Sequence, residues 1–408
     1  MNLTDVDDKT IRGARQAGLP LAEFTRRYKE AFFEDLRTLN IEPAEHYPAA
    51  TEHVPEMIRL IETLLAKGHA YRAADGSVYF SVASFPAYGR LAHLDLGGLR
   101  AGARVAQDEY AKEDVADFAL WKAWDAEDGD VGWDSPWGRG RPGWHIECSA
   151  MSMRYLGTTF DLHTGGIDNI FPHHENEIAQ SEAATGRPFV RYWMHCAHLM
   201  VNGRKMAKSL GNFLTLRDLV ARGYTGREIR YVLVAGHYRQ SLNFTREALD
   251  AARSALQRLD EFGERLAARA DTVAEAFAAE ADATLPAWAE TARTAFDAAL
   301  ADDLNLPEAL AALFDMVHAG NRALDAGAVN AAAARATVAV WRRMDGVLGF
   351  LQKPEAETVP PEVLALRDAR QRAREQQNWA EADRLRAELA ARGWVVQDTP
   401  QGPKLKRT

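Results

Sequence analysis

The 408-residue sequence predicts an α/β protein: a domain of strands and helices, then an α-helical bundle, then a small mixed α/β module at the carboxyl end. Three observations predict it. Through residue 215, short apolar runs punctuated by glycine and proline alternate with stretches of helical periodicity. From 216 to 352 the texture becomes Ala-rich and helical. After a stiff polar linker at 353–361, residues 362–408 carry two helical patterns and a strand. With 47% hydrophobic and 26% charged residues the chain can build sizeable cores, which excludes a wholly disordered protein.

The elements follow in order. Pro55–Lys67 sets Ile58, Leu60, Ile61, Leu64 and Leu65 on one broad apolar stripe and stops at Gly68, as a helix does. The apolar runs at 77–82 and Phe118–Trp121 read as strands, set off by Gly/Pro punctuation such as Ser135–Gly138 and Arg141–Gly143. Phe160-Asp161-Leu162 reads as a third strand, leading into His163-Thr164-Gly165-Gly166-Ile167-Asp168, and Pro172 is placed to open a helix. Residues 216–290 are expected to form helices that buttress the first domain. Thr245 can cap one, with Glu247 in its first turn and Leu249, Leu256, Leu259, Phe262 and Leu266 at helical spacing. Residues 291–352 are expected to form the bundle, with Pro307 at a first helical position and Leu306, Leu310, Leu313 and Val317 on one face. Core packing explains every one of these stripes. In the last module, helices are expected over Leu364–Gln376 and Ala380–Ala391, a strand at Trp394-Val395-Val396 and a turn at Gln401-Gly402.

A formal charge of -9, from 49 basic and 58 acidic residues, excludes a globally basic nucleic-acid coat. The terminal module departs from this balance, with ten basic against seven acidic residues over 362–408. That excess points to a nucleic-acid contact, and a solvated helix face explains it equally well. No stretch approaches the roughly 20 apolar residues that span a bilayer, and the first residues lack the pattern of a signal peptide. Two cysteines, Cys148 and Cys196, cannot form a disulfide framework, so a reducing, cytoplasmic setting is expected.

Three features carry chemistry. Six of the 12 histidines (His145, His163, His173, His174, His195 and His198) fall within residues 145–198. His173 and Glu177 are four apart, so on a helix both would project from one face, and Cys148 offers a soft third ligand. Three protein ligands leave a coordination position open, the catalytic zinc pattern; a surface His/Glu pair beside an inert buried thiol is the alternative. Second, only ten of the 49 basic residues are lysine, yet Lys205 and Lys208 stand three apart in Gly203-Arg204-Lys205-Met206-Ala207-Lys208-Ser209-Leu210-Gly211. Mobile ammonium groups suit phosphates, although a solvated loop has the same composition. Third, glycines after a strand let a ligand approach the backbone and an Asp there can accept from ribose hydroxyls; a plain turn also fits.

Together these segments resemble the cysteinyl-tRNA synthetase family of class I aminoacyl-tRNA synthetases. The carriers are Asn2–Lys9, Gly140–Ser149 with its Trp144-His145-Ile146-Glu147-Cys148 core, Phe171–Glu177, Lys205–Ser209 and the closing Asp398–Gly402, in colinear order along the chain. The resemblance implies a Rossmann-type class I catalytic domain and the reaction of a cysteine–tRNA ligase. L-cysteine would be activated with ATP to the adenylate and transferred to tRNA-Cys. It implies one Zn2+ per chain on Cys148, His173 and Glu177, gripping the substrate thiolate. Thr4 and Trp144 would line the cysteine pocket, ATP would meet His163, Gly165, Gly166, Asp168 and Lys208, and Lys205 and Lys208 would be catalytic. The bundle and terminal module would contact tRNA-Cys, and the enzyme is expected to be a cytoplasmic monomer. Ala207 departs from the family's Lys-Met-Ser-Lys-Ser loop, which keeps both lysines here. The family's first strand and helix, its His-Ile-Gly-His-type motif and a fourth zinc-binding cysteine have no counterpart in this sequence. The catalytic domain is therefore expected to be incomplete and the chain alone impaired. A catalytically inactive RNA- or zinc-binding relative, and a cysteine–amino-sugar ligase of mycothiol synthesis, are the alternatives.

Overall fold

A computed structural model describes residues 1–94, 117–207, 210–270, 285–351, 360–376, 378–399 and 402–407. Lys208, most of the linker at 353–361 and the turn position Gln401 lie outside them. The chain divides into two compact units, Met1–Phe350 and Leu351–Thr408.

The first unit opens with helices α1 (Asp8–Ala17), α2 (Leu21–Thr38) and α3 (Val54–Ala66). Asp7 caps α1 by a reciprocal box with Thr10, which satisfies two amide donors that a helix start otherwise leaves unpaired. Helix α3 coincides closely with the expected span and buries Met57, Leu60, Ile61 and Leu64. They face an antiparallel meander of β1 (Ala70–Arg72), β2 (Val78–Phe80), β3 (Phe118–Ala123) and β4 (Gly140–Pro142). A Cβ at Gly143 would fall 2.1 Å from the Ala119 carbonyl oxygen, so only glycine lets the chain leave β4 this close to β3.

Helix α4 (Trp144–Leu156) starts at that glycine and leads to β5 (Phe160–Gly166), helix α5 (Glu175–Thr185) and β6 (Val190–Cys196). Strands β5 and β6 pair in parallel from Phe160 opposite Val190 to Gly166 opposite Cys196, a βαβ unit. Two sequence expectations change here. The third strand runs through both glycines, because pairing with β6 holds them extended. The helix begins at Glu175 rather than Pro172: Phe171, preceding proline, is extended (φ −137°, ψ 133°), and residues 170–174 form an irregular turn. Small buried Ala179, Ala183 and Ala184 let α5 pack in the core of α3 and α4.

Next come β7 (Leu199–Val201), β8 (Arg204–Lys205), α6 (Leu216–Ala221), α7 (Gly226–Val234), β9 (Leu242–Phe244) and α8 (Arg246–Arg269). Strands β8, β7 and β9 make a separate three-stranded sheet. Thr245 caps α8 as expected, accepting from the Ala248 amide. Leu249 and Ala252 of α8 join Ile229 and Val232 of α7 in one core cluster, while Phe262 meets the Trp341 ring edge-to-face at 5.4 Å. Helix α8 is thus shared with the helices that follow: α9 (Ala287–Ala301, beginning before residue 291), α10 (Leu306–Asp325) and α11 (Ala331–Leu348). In α10 Asn305 is the cap and Pro307 occupies the second helical position.

The second unit contains α12 (Pro361–Glu375), α13 (Trp379–Ala391) and an antiparallel hairpin of β10 (Trp394–Thr399) and β11 (Gly402–Arg407). Its core is Val363, Leu389, Trp394 and Val396. Among the described residues no helix is long and apolar enough to cross a membrane.

Candidate metal centre and active site

The carboxyl ends of the parallel strands, the first turn of α4 and the turn before α5 converge. Cys148 (α4), His173 (the 170–174 turn) and Glu177 (α5) are all buried, and their ligand atoms lie within 4.8 Å of one another. A thiol from α4 is thereby brought to the same point as an imidazole and a carboxylate that lie four residues apart at the start of α5. Glu177 has no exposed surface. Its Oε2 takes a hydrogen bond from His163 Nε2 at 2.6 Å, but Oε1 has no well-made hydrogen bond, with His173 Nε2 standing 3.5 Å away. A buried carboxylate oxygen left this way costs free energy unless a cation meets it. The donor set S/N/O is one that zinc accepts, and Oε1 is the atom on which such an ion would complete the set.

Electrostatics hold one carboxylate of the cluster ionised and keep its thiol and two of its histidines neutral. Burial works to raise the Glu177 carboxyl, yet the hydrogen bond from His163 and the nearby His173 ring hold it well below the usual range, ionised. Burial, then the nearby Glu177 charge, pushes the Cys148 thiol up, and the Asn2 side chain lies against it as a partial counterweight. A divalent cation reverses that tendency and holds a coordinating thiol as thiolate. Burial pushes His145 down to about 3 and His174 also to about 3, so both rings are neutral at physiological pH.

The expected site residues fall into three groups. Cys148, His173 and Glu177 come together, and the half-exposed Trp144 lays its ring 4.2 Å from that of His173. Thr4 is exposed, two residues from Asn2. His163 is drawn to Glu177, Gly165 and Gly166 end β5, and Asp168 is exposed in a short turn over Ile167–Asn169. The space above Gly165 is filled by the His174 ring, and Asp168 Oδ1 stands where a Gly166 Cβ would point. Lys205 is exposed on β8, in the other sheet, and Lys208 is outside the described residues.

Sequence reasoning noted the crowding of these histidines but gave no supporting role to His145, His174 or His195. His145 Nδ1 lies 2.9 Å from His173 Nδ1, which leaves Nε2 of His173 for a ligand role, and His174 Nδ1 lies 2.8 Å from His195 Nε2. Their crowding between 145 and 198 was the available signal.

Comparison with known proteins adds the following. The profile described as "tRNA synthetases class I (C) catalytic domain" matches residues 1–254. "DALR domain" matches 295–352, and "Cysteinyl-tRNA ligase anticodon binding domain" matches 356–403. A cysteine–tRNA ligase of Protochlamydia amoebophila is 50% identical over 411 residues, spanning 100% of this chain and 84% of the relative. One of Chlamydia pneumoniae is 51% identical over 407 residues, spanning 100% and 85%. Among solved structures, Mycobacterium tuberculosis methionyl-tRNA synthetase bound by methionyl-adenylate is similar at a TM-score of 0.59 and 18% identity, covering 85% of this chain and 82% of that one. At that identity the likeness is one of fold: a class I synthetase catalytic domain, mixed α/β, followed by helices.

Proposed function

Because the chain belongs to the cysteine–tRNA ligase family, we propose that its Cys148, His173 and Glu177 hold one zinc ion that receives the thiolate of L-cysteine. The reaction is that of the family: ATP-dependent activation of cysteine and its transfer to tRNA-Cys. Zinc bound there would supply a soft Lewis acid that rewards sulfur far more than a hydroxyl, and so separates cysteine from serine without an editing domain.

The chain's own residues do the rest. His145 fixes the orientation of His173 through the 2.9 Å Nδ1 contact. Trp144, tilted against the His173 ring with 44% of its surface exposed, forms an apolar wall of the amino-acid pocket, to which Thr4 also contributes. Asp168, exposed beside the ends of β5 and β6, accepts from the ribose of ATP, at the strand ends where α/β sheets bind nucleotides. Lys205 and Lys208 bring point charges to the phosphates as negative charge moves toward pyrophosphate. The helical region and the basic residues of 362–408 take the tRNA. We infer a monomer in the cytoplasm; the free thiols of Cys148 and Cys196 support a reducing compartment. The matches favour this reading over an inactive relative or an amino-sugar ligase, since the anticodon-binding profile spans the last module.

The convergence of Cys148, His173 and Glu177 carries the proposal. Its test is metal analysis with calorimetric titration of L-cysteine and L-serine. One zinc per chain is expected, with cysteine bound at least about a hundredfold tighter than serine and the preference lost in Cys148→Ser or after chelation. Equal binding of the two amino acids by the zinc-loaded protein refutes it.

A further inference from the structure

We propose that His163 is a positioning residue for the metal centre: its Nε2 donates to Glu177 Oε2 and so turns Oε1 toward Cys148 and His173. The inference rests on the zinc reading above and moves His163 away from the ATP-facing role expected of it.

The two oxygens of Glu177 are not equivalent. Oε2 is engaged at 2.6 Å by His163, whereas Oε1 points at the space shared with the thiol and His173. A carboxylate with no exposed surface can rotate about its terminal torsion unless something fixes it, and His163 is the group that does. The His163 ring is itself held. It sits on β5 opposite Trp193 of β6, with ring centroids 5.0 Å from Trp193, 4.8 Å from His174 and 5.6 Å from Phe160. Because the acceptor is a carboxylate, Nε2 bears the hydrogen, which fixes the tautomer as well as the direction.

The same atoms allow one rival arrangement. His163, His174 and Glu177 also lie within 4.8 Å of one another and could hold a cation themselves. A nitrogen-to-oxygen distance of 2.6 Å is that of a charge-assisted hydrogen bond, which favours the positioning role.

The experiment compares the full chain with His163→Ala and His163→Gln. Co2+ and Zn2+ affinities are measured by competition with a chromophoric chelator, alongside the visible spectrum of the Co2+ form and binding of a fluorescent ATP analogue. In His163→Ala, metal affinity is expected to fall about 10- to 100-fold and the Co2+ d–d bands to change. The thiolate-to-cobalt absorption from Cys148 is expected to persist. His163→Gln, which restores an N–H donor, should recover most of the affinity. Unchanged affinity and spectrum in His163→Ala overturn the proposal. So does a fall from two ions per chain to one, which would make His163 a ligand, and so does lost ATP binding with intact metal binding. Absence of metal from the unaltered protein overturns the zinc reading itself, an outcome distinct from all of these.

Discussion

A methyl group on Gly165 would stand 2.6 Å from His174 Cε1 and 3.0 Å from its Nε2, closer than such atoms pack. Gly165→Ala must therefore push the imidazole off its contact with His195 or bend the end of β5. Overpacking of this kind costs about 1–3 kcal/mol, expected as a lowered urea midpoint with the slope unchanged. An unaltered midpoint would show that the ring can yield freely. The same substitution should weaken metal binding only slightly, because His174 is not one of the three proposed ligands. Residue chemistry at this site was legible in part. His173 and Glu177 lie close in sequence, so their proximity needs no tertiary knowledge. Cys148 could be offered as a third ligand from the softness of its thiol, but no spacing ties it to them, and a buried inert thiol fitted the sequence as well until its flanking residues were matched to a known family. The contact of His145 with His173 exists only because α4 packs on α5, and nothing local to either histidine encodes it.

Among the elements, α7 illustrates how local signals and tertiary contacts combine. Thr225 and Glu228 form a reciprocal cap, and Glu228 Oε1 also accepts from Arg253 Nε of α8 at 2.5 Å. Burial works to raise the Glu228 carboxyl, but the Arg253 and Thr225 hydrogen bonds outweigh it and hold the group below its ordinary value of 4.5. A carboxyl lowered on folding stabilises the fold above the unfolded-state value, and the contribution disappears as pH falls through the folded one. Glu228→Gln should therefore cost about 1 kcal/mol at pH 7, the guanidinium being half-exposed and screened. The difference from the unaltered protein should close as pH drops below 4.5 in parallel denaturant titrations. A gap that stays constant with pH would assign the loss to packing rather than charge. Caps of this type are readable in sequence, as Thr245 was. The length of β5 was not: glycines read locally as a turn, and only pairing with β6 keeps them in a strand.

For the whole molecule, charge distribution and helix-end contacts separate two kinds of task. Within the first unit Arg230 donates to the carbonyls of Leu39 and Asn40 beyond α2 and to Leu348 at the end of α11, while Arg227 reaches Phe350 and Asp260. These cations meet the negative ends of helices, so the contacts that join the bundle to the α/β part are internal and leave other basic residues for a partner. In the second unit, Lys404 and Lys406 sit on β11, in a module whose basic residues outnumber its acidic ones within a chain of net charge -9. A polyanion approaching this protein is repelled by most of it and drawn to that end. Lys404→Glu/Lys406→Glu is therefore expected to weaken tRNA-Cys binding at least about tenfold at moderate salt. It should reduce the slope of log affinity against log salt by about two, one for each phosphate that a lysine no longer neutralises. Cysteine binding at the proposed metal centre, whose residues all belong to the first unit, should be unchanged in the same protein. Loss of cysteine binding would mean that the substitution damaged folding at large. A salt slope equal to that of the unaltered chain would remove these lysines from the tRNA surface, leaving the basic excess of the module as a solvated face.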